Sequence, residues 1–194
     1  MLRVALPAAV VLAISGASAQ DVEYIRAVER AQQHRPATVT SSARIASREE
    51  PGTPMMLKGR VVDHTGAPAP DTIVFAYHTD RAGLYDKPAA GAHSWRLRGW
   101  SRTDSDGRFT FQTIRPWPYP QRDVPAHVHF TLFLPSGERY HAGEVKFEDD
   151  PLVPDRDRQS SERAGEFGEV RAVRRAGDVE QVEFALRVDP GQRF

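Results

Sequence analysis

The chain has 194 residues, seven histidines and no cysteine, and its 26 Lys and Arg balance 26 Asp and Glu for a formal net charge of zero. That length suits one domain able to bury a core without metal or disulfide staples, and 40% hydrophobic with 27% charged residues excludes a disordered polyelectrolyte. Balanced charge argues against nucleic acid as a partner, because phosphate contacts draw on a surplus of Lys and Arg; without cysteine, any metal must be held by nitrogen and oxygen.

Residues 1–19 read as a signal peptide. Arg3 supplies a positive charge, residues 4–14 are nearly all apolar, and Ala17-Ser18-Ala19 before Gln20 forms an A-x-A cleavage site. The apolar run is too short to span a bilayer, so the expectation is an exported protein, periplasmic or secreted, with no membrane span. Residues 20–54 read as a helix and a connecting arm. Val22, Ile25 and Val28 recur at helical spacing over residues 21–34, and Pro36 stops the helix. Residues 37–54 are rich in Thr, Ser, Glu and Pro with no sustained period, which fits an arm that wraps the domain or stays mobile.

Residues 55–194 read as one β domain. Strands are predicted over residues 57–63, 72–78, 96–102, 108–114, 126–134, 139–147 and 182–188, broken by turn residues such as Asp106-Gly107. The segment 126–134 is apolar on both faces and is expected at the centre of a sheet. The run 155–169 is charged and contains Gly and Ser, which reads as a solvated loop. The fold class expected is all-β: an antiparallel β-sandwich with a short N-terminal helix and an extended arm.

The chemistry concentrates around His127 and His129. Two apart on a strand, they send both imidazoles to one face while Val128 and Phe130 leave on the other. Paired imidazoles make ready metal ligands, although a lone His-x-His also occurs as surface or hydrogen-bonded core residues. Eight residues earlier, Tyr119 stands in Pro116-Trp117-Pro118-Tyr119-Pro120, where flanking prolines restrict the backbone and fix the phenol relative to the strand that follows. Tyr85 follows a predicted strand end in Gly83-Leu84-Tyr85-Asp86.

At this point the sequence resembles the intradiol ring-cleavage dioxygenases, the family of catechol and protocatechuate dioxygenases. The likeness runs over about residues 57–153. It rests on Gly59-Arg60-Val61-Val62-Asp63 with Gly66 and Pro68, on residues 77–85, and on Asp104-Ser105-Asp106-Gly107 followed by Pro118-Tyr119-Pro120. Pro125-Ala126-His127-Val128-His129-Phe130 and Phe147-Glu148-Asp149-Asp150-Pro151-Leu152 complete it, all in the family's order.

The resemblance implies a non-haem Fe(III) held by Tyr85, Tyr119, His127 and His129, with a catechol-type small molecule and O2 as the reactants. The ring would open between its two hydroxyl-bearing carbons. Tyr119 would be the catalytic ligand, displaced by substrate and taking its proton. Two hard phenolate donors suit a ferric ion. Two positions depart from the family pattern: Val124 stands where an arginine is usual, with Arg122 two residues before it, and Glu144 stands where a neutral glutamine is usual. His78 would stand close behind the ligands, and Trp117 beside Tyr119 would line the pocket. The remaining histidines, His34, His64, His93 and His141, read as turn or surface residues, and Trp95, Trp100 and Trp117 as core or loop anchors. A second reading stays open: a non-catalytic exported β-sandwich module that binds metal or aromatic ligands. Nothing in the sequence sets the substrate or the oligomeric state.

Overall fold

The computed structural model describes residues 19–85 and 95–194; the expected signal peptide up to residue 18, and His93, lie outside the described residues. In chain order the elements are α1 (Ala19–Gln32), β1 (Ser42–Arg44), β2 (Pro54–Val62), β3 (Ile73–His78), β4 (Leu97–Arg102), β5 (Arg108–Ile114), β6 (His127–Phe133), β7 (Arg139–Phe147), α2 (Asp155–Ala164), β8 (Val170–Arg171), β9 (Val173–Ala176) and β10 (Val179–Arg187). Two five-stranded sheets face each other, one ordered β1-β5-β2-β10-β9 and the other β4-β3-β6-β7-β8. The expected sandwich is present, but the sheets are mixed. β2 runs parallel to β10 over eight residue pairs, and β1–β5 and β7–β8 are also parallel. No helix among the described residues is long and apolar enough to cross a membrane.

Between the sheets lies a core in which Leu57, Phe109, Phe111, Val128, Phe130, Phe147, Val182 and Phe184 are buried. Each large side chain stabilises the fold by roughly 1.5–3 kcal/mol through removal from water. Strand β2 shows the period of two behind this, its residues alternating between buried and half-buried. The second sheet is covered on its outer face too, by a cluster of Ile73, Phe75, Tyr77, Trp100 and Ala31, against which Tyr24, Tyr85 and Trp95 pack. All six residues of β3 are therefore buried, and β6 is the middle strand of its sheet, as its two apolar faces predict.

Several segments differ from expectation. The contact stripe of α1 is Tyr24, Val28 and Ala31, while Val22 is exposed; Tyr24 reaches Thr131 at 2.8 Å. Of the two alternatives for the arm, the structure shows the one that wraps the domain: β1 pairs with β5, and Ile45 enters the core. The run 155–169 is not a loop but α2 followed by a 3-10 turn at Gly165–Phe167. Its sequence has no apolar stripe and only Ser161 is buried, so it carries no period to read. Its helicity rests on Asp155 and Asp157 in the first turn and Arg163 in the last, with the Lys146 ammonium 3.0 Å from Asp157. Trp117 is no anchor, at 59% exposed, and His141 stacks on Tyr24 and Phe194 rather than facing solvent alone.

Two features tie the sheets and loops that carry the site. His78, fully buried, donates from Nδ1 to the Thr79 carbonyl (2.7 Å) and accepts at Nε2 from the hydroxyl of Thr113 on the opposite sheet (2.6 Å). The turn after β3 docks on the proline-rich loop: Trp117 N donates to the Asp80 carbonyl, and the Thr79 hydroxyl donates to the Trp117 carbonyl. Gly83, with φ +75°, fits because a Cβ there would overlap the Pro118 carbonyl oxygen. Arg96 clamps the turn from outside, bonding Glu50 of the arm through both carboxylate oxygens and Asp80 at 3.1 Å.

Burial pushes the His78 imidazole down to about 4. The unfolded chain therefore binds a proton near pH 6.5 that the folded chain refuses, and stability falls as pH drops from 6.5 through 4, by roughly 3 kcal/mol for this group. Urea unfolding at pH 7 and pH 4.5 of the parent and His78→Asn should show a smaller pH effect in the variant; an equal effect would remove His78 as its source. Gly83→Ala should cost roughly 2 kcal/mol from its positive φ and the overlap with Pro118, and an unchanged urea midpoint would contradict the docking of the two loops.

Candidate metal centre

On β6 the alternation of side chains works as the sequence predicts. Val128 and Phe130 enter the core, and His127 and His129 leave on the outer face. Tyr85 arrives from the turn after β3 and Tyr119 from the proline-rich loop. The four side-chain tips meet: Tyr85 Oη lies 3.0 Å from His129 Nε2, Tyr119 Oη 3.1 Å from His127 Nε2, and the two Nε2 atoms 2.9 Å apart. The two phenol oxygens are hydrogen-bonded to each other.

The far side of each imidazole settles which nitrogen carries hydrogen. His127 Nδ1 is 2.7 Å from the Pro125 carbonyl oxygen, and His129 Nδ1 is 3.3 Å from Glu144 Oε1. An oxygen that only accepts favours hydrogen on the nitrogen beside it, so His127 Nδ1 donates to Pro125, His129 Nδ1 carries its hydrogen towards the Glu144 carboxylate, and both Nε2 atoms present lone pairs to the centre. Burial, with the charges of His127 and Lys146 adding to it, pushes the His129 imidazole down to about 3, which keeps it neutral. Two lone pairs at 2.9 Å repel unless a cation sits between them. Two phenols beside them complete a hard N2O2 donor set. The residues present therefore fit a metal ion.

The phenols are held protonated by their surroundings. Burial pushes Tyr85 up, with the hydrogen bond and charge of Tyr119 adding to it. Burial also raises Tyr119; the Tyr85 hydrogen bond and the Arg122 charge pull it back, while Glu144 pushes it up. Glu144 belongs to the surroundings of the donors rather than to the set itself. Its carboxylate, with His127 and His129, forms a group whose ligand atoms lie within 4.8 Å of one another, but it meets His129 at Nδ1, across the ring from the atom facing the other donors.

The other expected site residues divide. Trp117 and Arg122 line a cavity of about 670 Å³ with Tyr119, Pro120 and Leu152. That cavity meets the donor set at Tyr119, so this hollow is beside the centre and not over it. His78 does not join the site: it projects into the interior and is spent on Thr79 and Thr113. Val124 is half-buried at the entry to β6. The sequence reading missed Tyr77, which lies opposite His129 in the β3–β6 register and stacks on its ring at 4.6 Å, with Trp95 stacked on its other side at 3.8 Å. Alternation places Tyr77 on the face opposite His78, but only the strand pairing brings it to His129.

A family model described as Dioxygenase matches residues 30–190. Catechol 1,2-dioxygenase 2 of Acinetobacter lwoffii is 28% identical over 129 residues, which is 58% of this chain and 46% of that protein. The protocatechuate 3,4-dioxygenase beta chain of Burkholderia cepacia is 29% identical over 119 residues, 56% of this chain and 51% of that protein; the chain spans about half the length of these curated relatives. The dioxygenase domain of a dioxygenase carbohydrate-binding protein fusion from Streptomyces sp. SirexAA-E shares the fold, with a TM-score of 0.58 at 24% identity over 79% of this chain and 93% of that one. Since the matched stretch runs through both sheets and all four donors, the chain belongs to the intradiol ring-cleavage dioxygenase family.

Proposed function

We propose that the protein is a non-haem Fe(III) dioxygenase that opens the ring of a catecholic aromatic between its hydroxyl-bearing carbons, using O2. The observation that carries this reading is the convergence of two phenol oxygens and two lone-pair imidazole nitrogens at 2.9–3.1 Å. When bound, the ferric ion supplies a Lewis acid and template that draws electron density from a coordinated catechol, readying the ring for O2. His127 and His129, fixed on the middle strand, hold the ion together with Tyr85. Tyr119 would be the ligand that gives way to substrate. Its buried phenolate would be a strong base able to take a proton from the catechol hydroxyl, in line with the upward push that burial gives its pKa. Arg122 offsets part of the negative charge at Tyr119. The order of charge, apolar run and small residues in positions 1–19 supports a site of action outside the cytoplasm.

Purified protein loaded with iron should absorb visible light through its tyrosinate ligands; a colourless protein after loading contradicts the donor set. His127→Ala should lose the iron, and stoichiometric iron in that variant would remove His127 from the set. Tyr119→Phe should change the spectrum and lower catechol-dependent O2 uptake by about 10²-fold or more. An unchanged spectrum means Tyr119 is not on the metal. Across a panel of catechols, O2 consumption with ring-opened product supports the enzyme. Colour change without O2 consumption supports a binding module instead.

A further inference from the structure

The two imidazoles that face the centre are backed differently. His127 donates from Nδ1 to a neutral carbonyl, that of Pro125, whereas His129 Nδ1 lies 3.3 Å from a carboxylate oxygen of Glu144. That contact is built by a fault in β7. His129 pairs with Glu144, but Thr131 pairs with His141, so one extra residue is accommodated between them, and Gly143 sits there with φ +74°. A side chain at Gly143 would come 3.0 Å from Glu169 Oε1 in a backbone conformation that L-residues avoid. The bulge lets Glu144 and His141 both face outward, one beneath His129 and the other against Tyr24.

The negative charge of Glu144 is only partly offset. Lys146 Nζ is 3.8 Å from it, but lies closer to Asp157 at 3.0 Å and Glu169 at 3.1 Å, so three carboxylates share one ammonium. Glu144 also lines a cavity of about 610 Å³ at the edge of β7. A carboxylate oxygen beside Nδ1 polarises the imidazole more strongly than an amide carbonyl does, and the extra electron density appears at Nε2.

We propose that Glu144 is a positioning residue that makes His129 the stronger of the two imidazole donors and biases the centre towards a tripositive ion. The inference rests on the metal reading above and adds to it which residue sets the strength of the site. Glu144→Gln keeps an oxygen that can accept from Nδ1 and so keeps the ring in place, but removes the charge. Glu144→Leu removes both, and Lys146→Gln leaves the charge less compensated. All three are read in the iron-loaded full chain by reduction potential and visible absorption, and in the iron-free chain by chelator competition, with thermal unfolding as a check on folding.

For Glu144→Gln the expectation is retained iron, a preference for ferric over ferrous ion about tenfold weaker, equivalent to an upward shift of about 59 mV for one electron, and a visible band at longer wavelength. Glu144→Leu should in addition bind iron about 10–100-fold more weakly. Lys146→Gln should move potential and band the opposite way. If Glu144→Gln and Lys146→Gln both match the parent in potential and band, while the parent is coloured and holds iron, the role of Glu144 is wrong and the metal reading stands. If the parent takes up neither iron nor colour, both fall.

Discussion

Two imidazole nitrogens without hydrogens, 2.9 Å apart and facing each other, are an arrangement that chemistry resists. Their lone pairs repel, even with a tyrosine hydroxyl 3.0 Å from one and 3.1 Å from the other. They are kept from turning because the opposite nitrogen of each ring is already committed, one to the Pro125 carbonyl and one to Glu144. Tyr77 stacks flat on His129, and Trp95 stacks on Tyr77 in turn. The site is thus preorganised to receive a positive charge, and the rest of the molecule can be understood as what holds that arrangement still.

The sandwich does so by burying both faces of the sheet that carries the histidines. One face packs against the other sheet; the second is roofed by α1, the aromatic cluster around Phe75 and Tyr77, and the turn bearing Tyr85. A strand in the middle of such a sheet cannot shift register without moving every side chain to the wrong face, so His127 and His129 inherit the rigidity of the core. The tyrosines have no such backing and come from loops. Their mutual position depends on the docking of the 80–84 turn against the proline-rich segment, through Gly83, Thr79 and Trp117.

The parts of this arrangement that were legible in the sequence are those that depend on local period and residue type. Alternation put His127 and His129 on one face, the apolar character of residues 126–134 marked the middle strand, and Asp106-Gly107 marked the turn that carries the chain from β4 in one sheet to β5 in the other, where Asp104 accepts from the backbone of Asp106 and Arg108. What could not be read depends on pairing between distant segments. The parallel match of β2 with β10 joins residues more than a hundred positions apart, and Tyr77 meets His129 only through the β3–β6 register. Helix α2 escaped because its polar surface carries no period. The resemblance placed His78 close behind the ligands, but the same alternation that serves His127 and His129 turns it inward, on the face opposite Tyr77, to Thr113.

The four donors are unequal in freedom, and this bears on which one can leave. His127 and His129 are held by the sheet. Tyr85 is packed in the outer aromatic cluster, its ring 5.7 Å from Tyr77. Tyr119 lines a cavity with Pro120, Arg122 and Leu152, so open space lies beside its ring. Under the proposed function, a centre that admits a two-oxygen substrate and keeps its ion would need three fixed ligands and one that yields. The division between strand-borne histidines, a packed tyrosine and a tyrosine beside open space provides that asymmetry from the fold itself.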